Sequence, residues 1–286
     1  MPPESPLTPA DAPCAAVELA WSGLTDRGRF RANNEDSFLT LAFDAHEVRL
    51  LGRFGRASLA VTDFVFAVSD GMGGAHSGEF ASRITIEKVT RLLPRGFRRS
   101  AGGTSTGFGE ILADIVAAIH HDLLKMGQSY DECVGMGATL SLGWFTPGSM
   151  HFSHIGDSRI YHLPRDGKLK QLTHDHSHVG WLRRAGQINE REARTHPRRN
   201  ALQQVLGANH QFLEPQLGAV ACQPGDRFLF CTDGLVDGLW DRRIEDLLRS
   251  APVGGEPALA LVNEAVESSG RDNVTAVVVD VLPSAV

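Results

Sequence analysis

Acidic residues at the ends of apolar runs carry the chemistry in this chain: Glu35 with Asp36, Asp70, Asp157, Asp233 and Asp272. The clearest instance is the stretch from Phe64 to Gly74. A run with the composition of a buried strand stops at Asp70, and three glycines follow within four residues. Glycine has no Cβ, so the backbone there can turn sharply and approach an ion or anion closely. The same construction returns between Phe228 and Gly234, around Asp233. A single Asp-Gly is most often a plain turn, because both residues suit turn geometry. Five such positions drawn together would repel one another in a partly desolvated cleft, and only cations would make that cluster tolerable. Carboxylate and main-chain oxygens, without Cys or His, select hard ions such as Mg²⁺ or Mn²⁺.

These residues need elements to position them. Apolar runs predict strands over Val17 to Leu24 and Phe38 to Phe43, with residues 44–62 as a hairpin or loop insertion. A helix is expected from Ser77 to about Leu93, stopped by Pro94. A second helix follows a Gly/Ser/Thr-rich break, with Ile111, Ile115, Ile119, Leu123 and Met126 on one stripe. Short strands at 138–144, 150–155, 158–163 and 168–172, separated by turns such as Pro147-Gly148 and Asp166-Gly167, read as a meander of hairpins. Residues 174–210 are polar and basic with helical fragments. A strand to Asp233, two helices (around Ile244 and Val262) and a closing strand from Asn273 to Val281 complete the chain. Hairpins beside helix pairs argue for antiparallel sheets flanked by helices rather than a βαβ wind.

At 286 residues, with 42% apolar and 22% charged residues, the chain can bury a full core as one large domain. Its formal net charge of −6 lacks the basic footprint that nucleic acid requires, so no nucleic-acid partner is expected. No apolar run approaches the length of a membrane span. Residues 1–16 are Pro-rich and acidic, unlike a signal peptide, and are expected to form a disordered tail before a domain over 17–283. Cys14, Cys133, Cys222 and Cys231 form no Cys-x-x-Cys pair, which points to a reducing cytoplasm.

Seven short motifs occur in a telling order: Arg31-x-x-Asn-Glu-Asp36, Val68-Ser-Asp-Gly-Met-Gly-Gly74, Gly135-Met-Gly-Ala-Thr139, Ile155-Gly-Asp-Ser-Arg159, Leu172-Thr-His-Asp-His-Ser177, Cys231-Thr-Asp-Gly234 and Arg271-Asp-Asn273. Through them the chain resembles the PPM family, the type 2C metal-dependent protein Ser/Thr phosphatases, in its bacterial branch. The resemblance covers residues from about 22 to 281. It implies an α+β fold, a four-layer α-β-β-α sandwich of two antiparallel sheets with helices on both outer faces. It also implies two tightly bound Mn²⁺ or Mg²⁺ ions bridged by Asp70, with Glu35 and the Gly71 carbonyl completing one site and Asp233 and Asp272 holding the other. Asp157 would help bind a weaker third ion. Asp36 and Asp237 would orient waters on the metals, and Arg31 would grip the substrate phosphate through its planar fork. The implied chemistry is in-line attack on a phosphomonoester by water acidified between the ions.

Met72 stands where eukaryotic members often carry a histidine proposed as general acid, which leaves the leaving group's proton to water on the metal. The implied partners are phosphorylated proteins, the products of a Ser/Thr kinase, met by a monomer. The alternative is a catalytically weak regulator that binds phosphoproteins on the same fold. His174, His176 and His178 would share one face of a strand, a spacing that can mark a transition-metal site, although the family's structural turn accounts for them better. Between Trp181 and Arg199, Arg183, Arg184, Arg191, Arg194, Arg198 and Arg199 stand against only Glu190 and Glu192. As a solvated helical face these arginines need no function. As the flap of bacterial relatives, about residues 174–210, they would attract an acidic phosphorylated partner.

Overall fold

The computed structural model describes residues 17–73, 77–101, 107–209 and 213–284. The expected tail over 1–16 and the last glycine of the Asp70 motif, Gly74, lie outside these residues. The chain runs through β1 (Val17–Asp26), β2 (Asp36–Phe43), β3 (Val48–Leu50), β4 (Phe54–Ser58) and β5 (Asp63–Met72). Helices α1 (Ser77–Ala101) and α2 (Phe108–Ser129) follow. Next come β6 (Gly137–Ala138), β7 (Leu140–Thr146), β8 (Ser149–Ile155), β9 (Arg159–Leu163) and β10 (Lys170–Gln171). Two short helices, α3 (His178–Arg184) and α4 (Glu190–Thr195), lead to β11 (Leu206–Gly207), β12 (Gln216–Ala221) and β13 (Arg227–Cys231). The chain closes with α5 (Asp233–Gly238), α6 (Asp241–Ser250), α7 (Pro257–Ser268) and β14 (Val274–Pro283).

Every strand pairing is antiparallel. One sheet has the order β10-β9-β13-β14-β1-β4, and the other β11-β6-β5-β7-β8-β12 with β2 attached to β5 and β3 to β2. Burial on both faces then explains why the central strands carry long apolar runs on both side-chain sets. In β5, Phe64, Phe66 and Val68 face the opposing sheet, while Val65 and Ala67 face α1 and α2. In β14, Val277, Val279 and Val281 face the same inter-sheet layer, and Ala276 and Val278 face α6 and α7. The inter-sheet layer is aromatic, with Phe66 and Phe145 edge-on at 5.6 Å and Trp21 at 5.9 Å from Phe64. These layers make the expected α-β-β-α sandwich.

Several local expectations are corrected. Pro94 does not stop α1, which continues to Ala101. Pro94 and Leu93 are buried, and that packing carries the helix past one missing hydrogen bond. Residues 44–62 do not form a hairpin of their own, because β3 pairs with β2 and β4 pairs with β1 in the other sheet. Strand β5 runs through Asp70 to Met72 instead of ending at the carboxylate, since β6 pairs with Gly71 and Met72. Edge strand β12 was not expected, its alternating pattern being only half-buried.

Candidate active site

Asp70 is fixed by the strand that carries it. Its amide donates to Thr139 Oγ1 at 2.9 Å, and its carbonyl accepts from the Thr139 amide at 2.8 Å. Thr139 Oγ1 lies 2.6 Å from Ser158 Oγ, beside Asp157. Gly156 turns at φ +107° against Thr139, where an added Cβ would come within 2.5 Å of Cγ2. One threonine therefore sets Asp70 and Asp157 relative to each other. Close backbone approach does the same elsewhere. A Cβ on Gly71 would sit 1.9 Å from the Gly78 carbonyl oxygen, and one on Gly234 would sit 1.9 Å from that of Asn273. The first contact brings the end of β5 onto the start of α1, and the second brings Asp233 beside Asp272.

Asn273 locks the loop between β1 and β2. Its side-chain amide donates to the carbonyls of Arg27 at 2.8 Å and Asn33 at 2.9 Å, while its oxygen accepts from the Glu35 amide at 2.7 Å. Asp36 sits opposite Asp70 in the β2–β5 register and is buried. Its Oδ2 accepts from Thr232 and Thr275 hydroxyls, each at 2.7 Å.

Between these elements opens a cleft of about 340 Å³, walled by Arg31, Glu35, Asp70, Gly71, Asp157, Asp233 and Asp272. Every residue expected to hold metal, together with the arginine expected to grip the phosphate, thus reaches one cavity. Asp36 lines neither the cleft nor its neighbour, being buried opposite Asp70, and Asp237 faces an adjoining cavity under α3 and α4 that shares Asp157, Asp233 and Asn200 with the cleft. Asn200 and Leu202 also line the cleft and were missed, since neither stands in a pattern that marks a site. Asn273 and Thr139 belong to recognised motifs, but their positioning roles become visible only from the bonds they make.

The cleft is electrostatically uncomfortable. Burial raises the Asp70 carboxyl well above its ordinary range, reinforced by Asp36, Asp233, Asp157 and Asp272. Asp233 is raised for the same reasons, by burial first and then by Asp157, Asp272 and Asp237. Burial pushes Asp36 and Asp157 up to about 7, and Glu35 is raised too. Arg31 is the cation against this charge, donating to Asp272 at 2.6 Å. The donor set, carboxylates with the Gly71 backbone lining the cleft, fits hard divalent cations that would relieve the repulsion. Among the described residues no three His, Cys, Asp or Glu side chains form a finished cage.

Two readings of the sequence are corrected here. His174, His176 and His178 share no strand face, because His176 lies in a turn against Gly156 and His178 opens α3. The basic segment is also only partly free. Arg183 donates to Asp241, and Arg194 donates to the carbonyls of Asp237 and Leu239 while covering the Trp240 ring at 4.0 Å. Arg184 donates to the Asp175 carbonyl at 3.0 Å. Arg191, Arg198 and Arg199 are exposed.

Comparison with known proteins follows the same lines. A family model described as protein phosphatase 2C matches residues 54–277. The serine/threonine protein phosphatase PstP of Mycobacterium tuberculosis is 35% identical over 267 residues, covering 92% of this chain. The chain spans about half of that relative's length, 45%. The serine/threonine phosphatase stp of Listeria monocytogenes is 30% identical, with 90% of this chain and 93% of that protein covered. Among solved structures, the crystal structure of M. tuberculosis PstP/Ppp is similar at a TM-score of 0.74 and 33% identity, covering 93% of this chain and all of that one. Another, the PstP catalytic domain in complex with two manganese ions, has a TM-score of 0.73 at 32% identity.

Proposed function

This chain belongs to the protein phosphatase 2C family, and from that premise we propose that it hydrolyses phosphoserine and phosphothreonine esters in proteins as a divalent-metal-dependent enzyme. The observation that carries the reading is the convergence of Glu35, Asp70, Gly71, Asp157, Asp233 and Asp272 on one cleft that also holds Arg31. The alternative, a weakly catalytic phosphoprotein binder, is not favoured, because no member of that set is missing.

In this proposal Asp70 would help hold two ions, one with Glu35 and the Gly71 carbonyl and the other with Asp233 and Asp272. Asp157 serves a weaker third. When bound, Mn²⁺ or Mg²⁺ would supply positive charge for the phosphoryl oxygens and lower the pKa of the attacking water. The chain's own contribution is placement. Arg31 reaches into the cleft and offers its fork to the phosphate. Asp36, held by two threonine hydroxyls, and Asp237, beneath the flap, orient water from either side. Met72 lines the cleft but has no proton to give, so no side chain at that position protonates the leaving oxygen.

Residues 17–283 make up the proposed phosphatase domain, with the flap at about 174–210. No helix among the described residues is long and apolar enough to cross a membrane. Cys133, Cys222 and Cys231 are free and buried, which supports action in a reducing cytoplasm. Its substrates would be the products of a Ser/Thr kinase, met by a monomer. The test is phosphate release from a phosphothreonine peptide. Activity should appear with Mn²⁺ or Mg²⁺ and vanish in EDTA, and full activity in EDTA would defeat the reading.

A further inference from the structure

Helix α4 has six residues, none of them buried. A helix this short does not persist alone, and it has no apolar face to hold it on the protein. Its seat therefore rests on polar ties. Asn189 and Glu192 close a capping box at its start. Arg194 reaches the carbonyls of Asp237 and Leu239 and stacks on Trp240. Glu190 accepts from Arg194 and from the Asp241 amide, both at 3.2 Å.

Asp241 is the junction of these ties. Its Oδ1 accepts from the Tyr161 hydroxyl at 2.9 Å, and its Oδ2 accepts from Arg183 of α3. Behind Tyr161, Arg159 donates to the same hydroxyl oxygen at 2.9 Å and forks onto Asp175 at 2.9 and 2.7 Å. One carboxylate thus joins α3, β9 and α6, while its amide holds α4. Arg194 has a second effect, because it supplies donors to carbonyls at the end of α5, which would otherwise lack partners. Helix α5 carries Asp233 at its first residue and Asp237 in its last turn.

We propose that Asp241 and Arg194 are positioning residues that fasten the segment 178–199 over the cavity shared by Asp157, Asp233 and Asp237. This fastening sets the grip on protein substrates and not on small phosphate esters. The second clause rests on the phosphatase reading above, and the first does not. The cleft end of α5 is held separately, by the Gly234–Asn273 contact and the Thr232–Asp36 bond, so the chemistry at Asp233 should survive release of the segment.

The test uses Asp241→Asn and Arg194→Met, alone and combined, in the full chain. Asn at 241 can still accept from Tyr161 but loses its charge toward Arg183. Met at 194 keeps the stem over Trp240 and loses the donors. Amide hydrogen exchange across 178–199 should accelerate about tenfold or more, with no change in β5 and β13. KM for a phosphothreonine peptide should rise about fivefold, while kcat/KM for p-nitrophenyl phosphate stays within about twofold. Unchanged exchange in both variants would overturn the fastening. Faster exchange with an unchanged peptide KM would overturn its role in substrate grip, as would an equal loss on both substrates. If one variant fails to fold, exchange and KM in the other decide. If the wild-type protein hydrolyses neither substrate, the phosphatase reading falls, and the exchange result still decides the fastening.

Discussion

The cleft and the flap hold charge in opposite ways. In the cleft, like-charged carboxylates crowd together on backbone pinned by buried hydrogen bonds and by glycines at contact distance. In the flap, opposite charges pair off on two short helices with little apolar burial, and their positions depend on those pairs. The first arrangement stores repulsion that a cation can relieve, and it needs a rigid frame to do so. The second is satisfied as it stands and is held only as firmly as its half-exposed ion pairs allow. Rigidity therefore lies where the metal chemistry is proposed, and adjustability lies where a protein partner would dock.

The strongest way to break this contrast is to remove repulsion from the cleft. Asp70→Asn should cost on the order of a thousandfold in turnover, the equivalent of several kcal/mol of lost metal assistance. It should also raise the melting temperature of the metal-free protein, because one carboxylate fewer is crowded there. A variant that keeps half of the wild-type kcat would contradict the site.

A second test compares glycines in the two regions. Gly71→Ala and Gly234→Ala each push a methyl into a backbone carbonyl, and each should lose about 3 kcal/mol of stability in thermal or denaturant unfolding. Gly186, in the flap, has φ +68° but open space around it. Gly186→Ala should cost only about 1 kcal/mol, from the left-handed backbone alone. Equal losses would mean that the two regions are equally rigid.

A third, graded effect is pH-dependent. Asp36 and Asp157 are raised from an ordinary 3.8 to about 7 in the folded protein. The folded state then binds protons that the unfolded state has released. The stability these groups contribute is fully present below about pH 4 and is lost as pH rises through about 7. In EDTA the melting temperature should fall across that window, and Mn²⁺ should flatten the fall. The smallest effect belongs to the free flap arginines. Arg191→Gln with Arg198→Gln should raise peptide KM about twofold and weaken its salt dependence, leaving p-nitrophenyl phosphate unaffected.

What the sequence showed and what it hid divide along the same line. The cleft was legible because its carboxylates end or interrupt apolar runs, and Asp70, Asp157 and Asp233 each have a glycine beside them, a local pattern with a local cause. The sheets were legible because burial on both faces gives β5, β13 and β14 long apolar runs. The flap arginines could not be told apart in the sequence, because Asp241, Asp237 and Leu239, which tie down Arg183 and Arg194, lie more than forty residues away and include main-chain carbonyls. Pro94 misled because a helix-stopping rule yields to packing that only the fold supplies. Asn200 and Leu202 become cleft residues only when the flap folds back, and no spacing announces that.

The central claim is that the crowded carboxylates of the cleft exist to hold divalent cations. Calorimetric titration of Mn²⁺ into the metal-free wild-type protein and into Asp70→Asn and Asp233→Asn tests it most directly. Two tight sites are expected in the wild type, with loss of at least one in each variant although the fold is kept. Unchanged Mn²⁺ binding in both variants, or no binding to the wild type, would contradict it.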